Sequence, residues 1–67
     1  MDEVRINDRA VPWREGLDLA QALDALGIEA GRVATALNGD FVARERRAAT
    51  LLAPGDAVAV FATIVGG

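Results

Sequence analysis

The group in this 67-residue chain with the fewest rivals for covalent chemistry is not a side chain but the α-carboxylate after Gly66-Gly67. The sequence has no cysteine and no histidine, and all seven of its basic residues are arginine. Thiol nucleophiles, imidazole bases and the usual transition-metal ligands are therefore absent. With no lysine, the chain can neither form a Schiff base nor accept an isopeptide bond on a side chain. It reads as the object of a reaction rather than its catalyst. A diglycine terminus carries no side chain next to its carboxyl group and has a permissive backbone, so it can enter a narrow cleft and present that carboxyl there. Two final glycines arise by chance in about one protein in 200, so the pair alone is a weak signal. What precedes it has to decide.

The run at 57–64, Ala-Val-Ala-Val-Phe-Ala-Thr-Ile, leads almost directly into those glycines and is the strongest strand pattern in the sequence. Both alternations are apolar, as in a central strand with a neighbour on each side. Val58, Val60, Ala62 and Ile64 form the bulkier, β-branched set and are assigned to the core. Ala57, Ala59, Phe61 and Thr63 then face the other way. A chain this short has a single helix to supply cover, so Phe61 is expected on an open face, as a partner anchor close to the tail.

The remaining elements read in order. Val4-Arg5-Ile6 alternates as a half-buried strand, and Asn7-Asp8-Arg9 turns it into a second strand at 10–13. Pro12 has no N–H for a ladder, which puts that strand at a sheet edge. Trp13 is read as a core residue in preference to a contact surface. Asp18 with Gln21 three residues later forms a capping-box pattern. Leu19, Ala22, Leu23 and Leu26 follow as one apolar stripe of a short helix, which Gly27 ends at C′ and Ile28 closes by packing on Leu23. Residues 33–37 read as a third strand whose small side chains leave its inward face open. Asn38-Gly39 is a type I′ hairpin signal, followed by a short strand at 41–43. Arg44-Glu45-Arg46-Arg47 is the one dense charge cluster. It is read as a solvated turn, the alternative being a docking patch for an acidic partner or a nucleotide phosphate, with Arg44 the candidate contact. Leu51 and Leu52 are expected under the sheet, and Pro54-Gly55-Asp56 marks a turn. Hairpin, helix, hairpin and a final central strand parallel to the first make a β-grasp arrangement: an α+β, ubiquitin-like fold with a mixed five-stranded sheet covered by one helix. The expected division is a domain at 1–64 and a flexible tail at 65–67.

Composition narrows the function classes. The apolar fraction of 52% is too high for a disordered chain. A net charge of −3 without a basic stripe argues against nucleic acid and gives no reason for an anionic membrane partner. No apolar run approaches a membrane span, and Met1-Asp2-Glu3 is unlike a signal peptide, so the expectation is a cytoplasmic, monomeric protein.

In this order and at these spacings, several stretches resemble the ubiquitin-like sulfur carriers of the ThiS/MoaD family, most closely the thiamine-biosynthesis branch. They are Val33-Ala34 through Asn38-Gly39, Val42-Ala43-Arg44-Glu45, Gly55-Asp56-Ala57-Val58 and terminal Gly66-Gly67. The chain departs from the family where it has Ala43 in place of a frequent proline and Arg47 in place of a frequent aromatic. The resemblance implies a carrier that is a cosubstrate and not an enzyme. A ThiF-like partner would use ATP and magnesium to adenylate Gly67, this chain binding no cofactor or metal itself. Sulfur from a donor such as a cysteine desulfurase would displace AMP to leave a thiocarboxylate, which a ThiG-like thiazole synthase would consume. The tail would comprise Val65 and Gly66, and Phe61, Ile64 and Arg44 would meet the partner. Rival readings are the same carriage toward molybdopterin or cysteine/methionine synthesis, a lysine-modifying ubiquitin-like protein, and an inert β-grasp interaction module.

Overall fold

The computed structural model describes residues 2–62. Strands β1 (Glu3–Ile6) and β2 (Arg9–Pro12) form a hairpin, followed by helix α1 (Leu19–Ala25). Strands β3 (Val33–Leu37) and β4 (Asp40–Val42) form a second hairpin, and β5 (Ala57–Ala62) closes the sheet. The spatial order is β2-β1-β5-β3-β4. β5 is parallel to β1 and antiparallel to β3, so the last strand is central and the Pro12 strand is an edge. This mixed sheet with one main helix is the β-grasp fold. The expected strand at 57–64 is seen as far as Ala62; Thr63, Ile64 and the whole tail lie outside the described residues.

The helix follows from its local code. Asp18 Oδ1 accepts from the Gln21 N–H at 2.7 Å, and Gln21 Oε1 accepts from the Asp18 N–H at 3.2 Å, so the capping box is complete. At the other end Gly27 takes φ +70°. Its N–H donates to Asp24 O and the Ile28 N–H to Leu23 O, both at 3.0 Å, which is a Schellman motif. Between the caps the stripe does the packing. Leu19, Ala22 and Leu23 are buried against Val4, Ile6, Val11 and Val58, with Leu26 and Ile28 at the margin. Burying a leucine stabilises by roughly 1.5–3 kcal/mol, which is what holds so short a helix.

Trp13 is half-buried against this core and donates its indole N–H to Leu52 O at 2.7 Å. The β3 face left open by the sequence is now assigned: Thr35 pairs with Val60 and Leu37 with Val58, putting the odd-numbered residues inward. Inward Thr35 is fully buried, and its hydroxyl donates to Val42 O at 2.9 Å.

Two expectations are corrected. Leu51 does not tuck under the sheet; it is 68% exposed, while Leu52 is buried. The segment runs antiparallel beside residues 17–19, with Leu19 N–H donating to Thr50 O and Leu52 N–H to Leu17 O. Strand-like alternation puts neighbouring side chains on opposite sides, so only one of the two leucines can face inward. The cluster at 44–47 is not simply a solvated turn. It opens a 3₁₀ helix, Arg44–Ala49, in which Arg47 is only 3% exposed.

Candidate functional site

The sheet has one face under α1 and one face open, and of the sequence-predicted contacts Phe61 lies on the open one. Register assigns its members. Phe61 pairs with Ala34, Ala59 with Ala36, and Ala36 in turn with Phe41, so these five side chains share the uncovered side. The alanines make a flat, shallow floor between two aromatics. Phe61 is 54% exposed and Phe41 73%. On the β1 side the floor continues through Ala57 to Arg5, which forms an exposed ion pair with Glu3 at 3.7 Å.

Phe61 thus stands where its alternation placed it, one residue before the end of the described β5. Phe41 belongs to the same face and was missed. Its signal was present: a two-residue Asn38-Gly39 turn pairs Leu37 with Asp40 and Ala36 with Phe41, so Phe41 follows whichever face Ala36 takes. The small residues of β3 hid that face, and Phe41 with it.

Arg44 is exposed, and its guanidinium lies along the backbone of Gly31, within 3.6 Å of where a Cβ would stand. Gly31 lies two residues before Val33, which pairs with Ala62. Arg44 is therefore at the end of the sheet from which the chain leaves β5, the same end as Phe61. Of the other candidates, Ile64, Val65, Gly66 and Gly67 lie outside the described residues.

Arg47 has a different role. Its Nε donates to Thr35 Oγ1 at 3.1 Å, Nη1 to Ala30 O at 2.8 Å and Nη2 to Val33 O at 2.6 Å. One guanidinium ties together the 3₁₀ turn Ala30–Arg32, strand β3 and its own 3₁₀ helix. Burial, and secondarily the charge of Arg44, pull its pKa below the ordinary arginine value, with Glu45 opposing. A guanidinium still remains charged at any physiological pH. Arg47 is thus committed to the fold and withdrawn from docking.

Among the described residues there is no group of three or more acidic side chains placed to hold a metal ion, and no helix long and apolar enough to cross a membrane.

A β-grasp sheet with one face covered, one face open and a central strand running to the C-terminal residues defines the ubiquitin-like class of small proteins. Within that class the ThiS family model matches residues 2–67. The chain belongs to the ThiS family. It is similar to the crystal structure of a thiamine biosynthesis protein, ThiS, from Geobacter metallireducens, with 29% identity, a TM-score of 0.78, and coverage of 97% of this chain and 99% of that one. It is also similar to the solution structure of a thiamine biosynthesis protein from the same organism, with 33% identity, a TM-score of 0.72, and coverage of 100% and 88%. No curated protein matches it.

Proposed function

We propose that this chain is a sulfur carrier of thiamine biosynthesis that works through the carboxylate of Gly67. The observation that carries the reading is the family match, which extends from residue 2 through Gly67. A carboxylate is a poor electrophile. An adenylating partner using ATP and magnesium converts it to an acyl-adenylate with release of pyrophosphate. A persulfide sulfur, drawn from a cysteine desulfurase or similar donor, then displaces AMP. Thiol cleavage of the resulting acyl disulfide leaves the thiocarboxylate, which a thiazole synthase consumes.

In this scheme the domain is a handle. Phe61 and Phe41, on the alanine floor of the open face, provide the apolar anchor of a transient dock, with Arg44 at the same end of the sheet and Ile64 as a further contact. Five residues follow Ala62, an extended reach of at most about 17 Å, enough for the carboxylate to enter a cleft while the sheet stays outside. The carrier itself needs no bound cofactor.

The pathway is tested by supplying the thiocarboxylated protein to thiazole synthase and its substrates. Formation of the thiazole supports the assignment. Failure there, with sulfur delivered instead to a molybdopterin precursor or to an amino-acid acceptor, would move the carrier to another pathway.

A further inference from the structure

On its β1 side, strand β5 runs out of backbone partners before it ends. The parallel ladder pairs Ile6 with Val58, and the Asn7 N–H donates to Val58 O at 2.8 Å. There the chain turns away into β2, with Asn7 itself at φ +57°. Val60 would be left without a neighbour on that side, but the Asn7 carboxamide takes the place of the missing strand. Its Oδ1 accepts from the Val60 N–H at 2.8 Å and its Nδ2 donates to Val60 O at 3.3 Å. A carboxamide offers one acceptor and a donor, the same pair that a peptide unit would present.

A second asparagine makes a matched contact at the other end of the strand. Asn38, at φ +50°, donates its backbone N–H to Ala57 O at 2.7 Å and accepts the Ala57 N–H on Oδ1 at 3.0 Å. Both residues occupy left-handed turn positions, and both clasp β5. Only Asn7 does so immediately before Phe61 and the exit toward the tail.

We infer that Asn7 is a positioning residue: its side chain aims the end of β5, and so the trajectory on which the terminal carboxylate reaches the adenylating site. The inference rests on the carrier reading above. Phe61 is still paired to Ala34 on the β3 side, so loss of the clasp leaves the dock in place and loosens the aim. The cost then falls on kcat rather than on KM, because a small misplacement of a reacting group slows the reaction by about ten- to a hundredfold.

The test compares Asn7→Gly with Asn38→Gly. Glycine keeps each left-handed turn and removes each carboxamide, while the Asn38 N–H bond to Ala57 O, being backbone, remains. Pyrophosphate release by the adenylating partner is followed at saturating ATP, well below the unfolding temperature of each variant. Asn7→Gly is expected to lower kcat about tenfold with the carrier KM within about twofold, and to speed amide exchange at Val60. Asn38→Gly is expected to leave kcat within about twofold of wild type, and Asn7→Asp, which keeps Oδ1, to recover part of the loss. Equal kcat losses in the two glycine variants mean a merely structural role and overturn the inference, as does an unchanged kcat in Asn7→Gly. Wild-type protein that is not adenylated at all removes the carrier reading itself and this role with it.

Discussion

Arg47 and Phe61 are opposites: one side chain is buried and bonded within the fold, the other stands half-exposed on the open face. The guanidinium of Arg47 is satisfied by two carbonyls and a hydroxyl from the 3₁₀ turn at 30–32 and the start of β3. Removing it leaves those acceptors short of a donor and opens a space. Arg47→Ala should therefore cost about 3 kcal/mol, read as a drop in the denaturant midpoint. Arg47→Lys should recover only part of that, because a single ammonium cannot match three diverging acceptors. Phe61 gives the opposite pattern. Being half-exposed on an uncovered face, it should lose less than about 1 kcal/mol of stability as alanine. The same change should raise the carrier KM for adenylation about tenfold, as expected for an anchor at a dock. An unchanged KM would remove Phe61 from the interface. The role of Arg47 was not legible in the sequence for a physical reason. Four charged residues in succession read as a solvated face, and the acceptors that draw one of them inward lie 12 to 17 positions away.

Elements whose signals are local were legible. The capping box needs only Asp18 and Gln21, and the helix stop only Gly27 and Ile28, so the helix was readable nearly to its ends. The same logic makes its stability testable. Asp18→Ala should cost about 1 kcal/mol, seen as a fall of roughly 4–8 °C in Tm for a domain of this size. Adenylation kinetics should be unaffected at a temperature where the variant stays folded, since α1 covers the face opposite Phe61. A change in kcat there would mean that the helix side also meets the partner. Elements that depend on pairing were legible only in part. The Asn38-Gly39 turn was plain, but the face of β3 was not, because Ala34 and Ala36 differ too little from their neighbours in size. Leu51 and Leu52 failed similarly: adjacent leucines carry no alternation, and only the backbone pairing beside residues 17–19 shows which one turns inward.

For the molecule as a whole, the hairpin, helix, hairpin order led to the β-grasp sheet because parallel pairing of the first and last strands is the arrangement that lets one helix cover one face. The functional site divides differently. The proposed docking half rests on strand alternation and exposure, whereas the proposed reacting half, the Gly67 carboxylate, lies outside the described residues and rests on the diglycine and the family match. Gly66→Val, which puts a branched side chain next to the proposed reacting carboxylate, should therefore slow adenylate formation with little change in Tm. Equal rates for variant and wild type would contradict it. If sulfur rides on Gly67, as proposed, intact mass spectrometry will detect it. The protein is incubated with its adenylating enzyme, ATP, magnesium and a persulfide donor, then weighed and fragmented. The expected result is a shift equal to one oxygen replaced by sulfur, localised to Gly67. An unshifted mass, while that enzyme adenylates a known carrier under the same conditions, would contradict it.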